Sequence, residues 1–333
     1  MNKIYPKRLT QDRQDVENLL GQEGIRLEEN IDATFGKYYN DKLIATASTF
    51  KNIIKCVAID QDYKGGSIFN ELMTAVINEI EANGFDGTFV YTKPKYEISF
   101  SSIGFKVIER VADDLIFMEK KSHGFESYLT RLEKTKTNDD KVGAIVINAN
   151  PFTLGHRYLV EYASENSDIL HIFVVSEDES MFKTKDRVNM VKLGTADIDN
   201  IIYHETCDYL ISSATFPSYF IDEDKSVIEI QARLDARIFK YHIAKSIGIN
   251  HRFVGTELND ITSKIYNDTM REVFEAKPDA GIPKLVEIER KENDGSVISA
   301  SRVRALINDG DIDSIRELVP ASTYDYIKEN KLY

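Results

Sequence analysis

The chain has 333 residues, 42% of them hydrophobic and 29% charged, with a formal net charge of −13. That balance belongs to a soluble globular protein long enough for two packed domains. The acidic excess argues against a nucleic-acid-binding surface, which requires a positive field.

In chain order, Val16, Leu19 and Leu20 fall at helical spacing within residues 9–20, with Gly21 placed as a stop. I-R-L-E at 25–28, T-F-G-K-Y-Y, K-L-I-A-T-A-S-T-F and I-I-K-C-V-A-I-D then read as successive strands. Q-D-Y-K-G-G-S at 61–67 joins the last of these to a helix with apolar positions Ile68, Leu72, Met73, Val76, Ile77 and Ile80, and Gly84 lies just beyond it. Backbone N–H groups at such a glycine turn can hold phosphate; an ordinary tight turn reads equally well. G-T-F-V-Y-T reads as a strand, I-S-F-S-S-I-G-F as a short helix or turn, and F-K-V-I-E-R with D-L-I-F-M-E-K as a closing hairpin.

Residues 121–140 hold a mixed helix and the polar run K-T-K-T-N-D-D. This sets a first domain at 1–120, a linker at 121–140 and a second domain at 141–333. In the second domain, strands V-G-A-I-V-I-N, I-L-H-I-F-V-V-S, N-I-I-Y-H-E, R-F-V-G and K-L-V-E-I-E-R alternate with helical stretches at L-V-E-Y-A (159–163), 184–193, 224–247 and around T-S-K-I-Y-N-D-T-M-R-E-V-F. That alternation predicts a parallel α/β sheet. Two cysteines, Cys56 and Cys207, leave no disulfide framework and fit a reducing compartment. The opening M-N-K-I-Y-P-K-R-L-T lacks a signal-peptide core, and no stretch is long enough to cross a bilayer. The expectation is a cytoplasmic protein that contacts neither membrane nor nucleic acid.

The chemistry concentrates in N-A-N-P-F-T-L-G-H-R at 148–157. Thr153 and His156 are three apart and share one face at a helix start. Gly155 leaves the backbone open, Pro151 suits a turn out of the strand, and Asn150 can brace the loop. A hydroxyl, an imidazole and free helix N–H groups at the carboxyl edge of a parallel sheet suit phosphate oxygens; a plain cap with a packed histidine is the competing reading. Far downstream, I-S-A-S-R-V-R at 298–304 follows a strand and opens a helix. Ser299 or Ser301 can cap it, and Arg304 would meet the same oxygens as the helix N–H groups; a capped helix with a surface arginine is the alternative. No H-E-x-x-H or paired-cysteine spacing marks a metal site, so the metal ligands stay unknown.

These residues carry resemblances. The order of elements in the first domain is similar to the acyl-CoA-dependent N-acetyltransferase (GNAT) fold. That family's phosphate pattern is Arg or Gln, two residues, Gly, one residue, then Gly or Ala. Gly65 matches it, whereas Asp62 and Ser67 depart, and Asp62 has the wrong charge for a diphosphate. N-P-F-T-L-G-H resembles the H/T-x-G-H motif of the nucleotidyltransferase superfamily, and I-S-A-S-R-V-R resembles its I-S-S-T-x-x-R-like second signature. The implied fold is a GNAT-like α+β domain followed by a Rossmann-like parallel-sheet nucleotidyltransferase domain.

The pair of domains, with G-F-E-S-Y-L, V-V-S-E-D-E-S-M-F and Y-L-I-S-S-A-T-F-P-S-Y-F, is similar over essentially the whole chain to the citrate lyase ligase family. That resemblance implies an acid–thiol ligase that uses ATP, Mg²⁺ and acetate. It would acetylate the phosphopantetheine-like thiol of the citrate lyase acyl carrier (gamma) subunit through an acetyl-adenylate, releasing AMP and diphosphate. His156, Thr153 and Arg304 would then be catalytic, with Asn150, Pro151, Phe152, Gly155, Lys183, Arg187, Ser299 and Ser301 around the nucleotide. Asp178 and the hydroxyl-rich 212–215 are weaker candidates. Cys207 is not the nucleophile, because the reacting thiol arrives on the partner. An adenylyltransferase making a dinucleotide or CoA-type product would use the same phosphate machinery.

Overall fold

The computed structural model describes residues 1–333 apart from 66, 177–179, 211–215, 222–225, 257–260, 277–282, 290, 291, 294 and 295, with backbone alone at 292, 293, 296 and 297. The chain forms two compact units: Met1–Tyr128 with Pro217–Ile230, and Leu129–Phe216 with Gln231–Tyr333. Residues 217–230, which the sequence pattern assigns to the second domain, therefore belong to the first unit. The expected linker carries the end of one strand and a helix, α4 (Phe125–Glu133).

The first unit contains β1 (Asn2–Ile4), α1 (Thr10–Gln22), β2 (Ala33–Tyr39), β3 (Lys42–Phe50), β4 (Ile53–Ile59), α2 (Ser67–Ala82), β5 (Gly87–Thr92), α3 (Glu97–Ser102), β6 (Lys106–Val111) and β7 (Leu115–Lys121). The strands make one sheet in the order β1-β2-β3-β4-β5-β7-β6. All neighbours run antiparallel except β4 and β5, which are parallel and meet only at Ile53↔Phe89 and Ile54↔Val90. Helix α2 exists because its apolar residues recur every three to four positions. It buries Leu72, Met73, Val76, Ile77 and Ile80 in a core with Ala45, Ala47, Ile54, Val90 and Met118. Gly84, at φ +88°, ends the turn that follows, as its sequence position predicts.

The expected strand at 25–28 is absent; these residues are irregular. Their polar groups are engaged by the returning segment instead. Arg26 N–H donates to the Tyr219 carbonyl at 3.0 Å, and Ser218 N–H donates to Glu28 Oε1 at 2.9 Å. Glu28 also pairs with the buried Lys55 ammonium at 2.6 Å. Cys56 lies packed in β4, as expected of an apolar strand thiol, and burial pushes its value up to about 12.

The second unit is the parallel α/β structure that the alternation predicts. It contains β8 (Val142–Ile147), α5 (Leu154–Glu165), β9 (Ile169–Val174), α6 (Thr184–Gly194), β10 (Ile201–Glu205), α7 (Val227–Ile238, its first turn in the other unit), α8 (Ala244–Ile247), β11 (His251–Gly255), α9 (Ile261–Glu275), β12 (Lys284–Ile288), the hairpin strands β13 (Glu292–Asn293) and β14 (Ser296–Val297), α10 (Ala300–Asn308) and α11 (Ala321–Glu329). One π-helical turn, Phe239–Ile243, links α7 to α8. Sheet order is β10-β9-β8-β11-β12. The chain first builds outward from β8 to β10, then crosses back to β11 on the other side. That reversal opens a crevice at the carboxyl end of β8, where such sheets bind ligands. The ladder widens it: β8 meets β11 only at Gly143↔His251 and Ala144↔Arg252, while it follows β9 through six pairs.

One pair in this sheet, a buried His171 against a half-buried His204, gives a pH prediction. His171 Nδ1 and His204 Nε2 lie 2.8 Å apart on β9 and β10, and His204 also stacks on Phe173. Burial pushes His171 down to about 4; burial and then the charge of His171 push His204 down to about 3. Below about pH 6.5 the unfolded chain takes up protons that the folded chain refuses. Stability is therefore full above the unfolded value and is lost as pH falls from about 6.5 towards 4. Thermal melts at about pH 7.5 and about pH 5 should show a smaller loss in His204→Gln, which keeps a hydrogen-bonding group but cannot titrate. Equal losses would count against the pair.

Candidate active site

β8 delivers the chain into the crevice, and the loop after it is tightly determined. Ala149 takes φ +49° with no side-chain exposure, and the Asn150–Pro151 peptide bond is cis. Phe152 is fully buried against Gly194, where an added Cβ would sit 2.5 Å from its ring. Thr153 then caps α5. Its hydroxyl accepts the His156 N–H at 3.3 Å, and its own N–H donates to His156 Nδ1 at 3.1 Å. This is a capping box with histidine at the third helical position.

Because a backbone N–H can only donate, His156 Nδ1 is an acceptor in this arrangement. The neutral imidazole therefore carries its proton on Nε2. The ring is also held parallel to Phe152, at 5.9 Å between centroids and 14° between planes. The cap and the histidine are thus one device: capping fixes the tautomer and the ring direction together.

The downstream motif meets the upstream one. A Cβ at Gly155 would stand 3.1 Å from the Ile298 carbonyl, so α5 approaches the 298 segment as closely as only glycine permits without displacement. Ser299 caps α10 by accepting the Arg302 N–H at 3.2 Å. One turn in, Arg304 donates to the Asn150 carbonyl at 2.7 Å and to Ser301 Oγ at 3.1 Å. Burial draws the Arg304 value below its ordinary one, yet an arginine remains charged. Asn150, Pro151, Phe152, Thr153, Gly155, His156, Ser299, Ser301 and Arg304 are thereby gathered across the seam of the two motifs.

Lys183 and Arg187 separate. Lys183 is exposed at the N-cap position of α6. Arg187 has no exposed surface. Its guanidinium donates to the carbonyls of Phe182 (3.0 Å), Asn148 (2.7 Å) and Val175 (2.8 Å), to Asn148 Oδ1 (2.8 Å) and to Thr184 Oγ1 (3.0 Å). A group so enclosed lies beneath the loops rather than facing a triphosphate. Asn150 Oδ1 completes the brace by accepting the Phe182 N–H at 3.1 Å. Asp178 and 212–215 lie outside the described residues.

Two supporting residues carry no sequence signal of their own. Asn148 presents two acceptors to Arg187. Arg157, directly after His156, donates to the Gly194 carbonyl and grips Asp197 through both terminal nitrogens at 2.6 Å, fastening α5 to the end of α6. An arginine beside a glycine–histidine pair reads as a ligand candidate or a surface charge, and only the fold brings Asp197 to it.

The family described as "Citrate lyase ligase C-terminal domain" matches residues 142–327. Citrate (pro-3S)-lyase ligase of Haemophilus influenzae is 36% identical over 316 residues, covering 94% of this chain and 94% of that protein. Citrate (pro-3S)-lyase ligase of Escherichia coli K12 is 38% identical over 315 residues, covering 94% and 90%. Among solved structures, Escherichia coli ElaA matches 36% of this chain and 97% of its own length, at 16% identity and a TM-score of 0.30. The matched relatives span both units, and this chain belongs to the citrate (pro-3S)-lyase ligase family.

Proposed function

We propose that the second unit is a Rossmann-like nucleotidyltransferase domain that activates acetate with ATP at the seam between 150–156 and 298–304. The observation that carries this reading is the contact of Gly155 with the Ile298 carbonyl together with the Arg304–Asn150 bond, which turns two distant motifs into one cradle. An acetate oxygen attacks the α-phosphorus, diphosphate leaves, and the carrier thiolate then attacks the acetyl carbon and releases AMP. Acetate is already ionised near neutral pH, so the site aligns reactants and stabilises charge rather than supplying a strong base.

The Nε2–H of His156 serves as donor to a phosphate oxygen as charge builds on it. Thr153 holds that ring through its own backbone N–H, and the positive end of the α5 dipole lies at the same place. Arg304 and the N-terminus of α10, with Ser299 and Ser301, hold the leaving diphosphate. Lys183 is exposed and long enough to meet phosphate from the start of α6. Hydroxyl, imidazole and guanidinium donors suit phosphate oxygens, and among the described residues no group of three His, Cys, Asp or Glu side chains could hold a metal ion. Mg²⁺ entering with ATP would supply charge neutralisation at the phosphates that these donors hold.

The test is diphosphate exchange into ATP. Exchange that depends on acetate, with acetylation of the carrier thiol in the full reaction, is the expected result. Silence with acetate, but diphosphate release with a nucleotide or phosphopantetheine acceptor, would assign the cradle to an adenylyltransferase instead.

A further inference from the structure

On one face of the second unit's sheet, His171, Ala144 and Arg252 stand side by side on β9, β8 and β11, with Ala144 in register with both neighbours. Partners in register share a face. The ring contacts agree. His171 stacks on His204 at 5.0 Å between centroids, and His204 on Phe173 at 4.6 Å. Phe173 meets Phe239 edge to face at 5.8 Å, and the Arg252 guanidinium lies 4.1 Å from the Phe239 ring centroid. These side chains close round Ala144, which offers only a methyl group between two large polar neighbours. Two strand spacings, roughly 9–10 Å, separate the flanking backbones.

Neither flank is satisfied. Arg252 is 2% exposed, and its Nε and Nη1 have no hydrogen-bond partner among the described residues. Its Nη2 stands 3.9 Å from Asp235 Oδ2, beyond hydrogen-bond distance, and that oxygen accepts the Tyr266 hydroxyl instead. His171 has no exposed surface; His204 engages its Nδ1, and its Nε2 has no partner among the described residues. Buried donors left without acceptors are costly and rare. The buried charge of this unit is unbalanced as well. Arg187, Lys240 and Arg252 are buried cations, and Asp235 is the one buried carboxylate among the described residues. Lys240 spends its ammonium on the carbonyls of Val273, Phe274 and Ala276 at the end of α9, which leaves Arg252 to face the row.

We infer that the second unit holds one small monovalent anion, of which chloride is the simplest, above Ala144 between Arg252 and His171. With its proton on Nε2, His171 adds an N–H to those of Arg252 Nε and Nη1. Donors alone suit an anion; a water would find no acceptor for its own hydrogens among these three atoms. The apolar walls of Ala144, Phe173 and Phe239 select a weakly hydrated monoanion over phosphate or sulfate, whose second charge would be costly to bury beside Asp235. The row is the last rung before β8 and β11 part, so the ion ties β9 to β11 at the base of the crevice. This inference is independent of the acetate chemistry above.

Thermal melts of the full chain in chloride and in gluconate, at one ionic strength and without acetate, test the site; gluconate is too large for the row. Chloride should raise the midpoint of the second unit by roughly 3–6 °C at ten times its dissociation constant. His171→Phe keeps the ring without its N–H, and Arg252→Met/Asp235→Asn removes both charges. Each should lose most of the chloride shift and still melt cooperatively. Anomalous scattering from a crystal soaked in bromide reads the wild type directly, and a peak above Ala144 is expected. If the variants fail to fold, that map decides alone. Equal midpoints in the two salts, a chloride shift retained in both variants, or bromide peaks only elsewhere would overturn the site.

Discussion

Replacing His156 with alanine should lower acetate-dependent turnover by about two to three orders of magnitude, the usual cost of losing one donor aimed at developing charge. Alanine also removes half of the capping box, so a second substitution is needed to separate the roles. His156→Asn keeps a polar atom near the Nδ1 position, where the Thr153 N–H donates at 3.1 Å, but has nothing at the Nε2 position. It should fold like the wild type and share the kinetic defect. His156→Gln, whose amide reaches towards the Nε2 position, should recover part of the rate. The measurement is kcat and KM for ATP with a thermal melt on each protein. If His156→Asn keeps wild-type turnover, the imidazole is a helix cap and nothing more.

The second large effect belongs to Arg187, and it is on folding. Alanine there should destabilise the second unit by about 3 kcal/mol or more, because buried acceptors lose a charge-assisted donor. The loops after β8 and β9 would lose their common clasp at Asn148, Val175 and Phe182. Arg187→Lys should restore little, since one ammonium cannot reproduce a planar fork addressing five acceptors among the described residues. Denaturant unfolding reads this directly. An unchanged midpoint with a raised KM for ATP would instead make Arg187 a nucleotide contact, as its sequence position beside Lys183 first implies.

Arg187 also shows how far the sequence carries. In M-F-K-T-K-D-R, Lys183 and Arg187 look equivalent: both follow a sheet strand and both could reach phosphate. The fold separates them, because Lys183 stands before the helix and Arg187 one turn inside it, on the face that meets the β8 loop. Motif spacing places Thr153, Gly155, His156 and Arg304 at two helix starts, where the fold has them, because such positions are set locally. Strands and helices were legible wherever apolar periodicity was strong, as in α2 and β8. The irregular course of 25–28 was not, since I-R-L-E alternates like a strand while its partner is a segment about 190 residues away. For the same reason local pattern could not assign 217–230 to the first unit.

That excursion orders events in time. Synthesis proceeds from the N-terminus at roughly 5–20 residues per second, so the ribosome completes Tyr128 several seconds before it reaches Ile230. Until then Arg26 and Glu28 lack Tyr219 and Ser218, and the gap where β4 and β5 part lacks one wall. The first unit is begun early and finished late, with β8, β9 and β10 of its neighbour made in the interval. A nascent chain released early in that interval would present an unfinished sheet edge, which is where chaperones bind and where such chains pair wrongly.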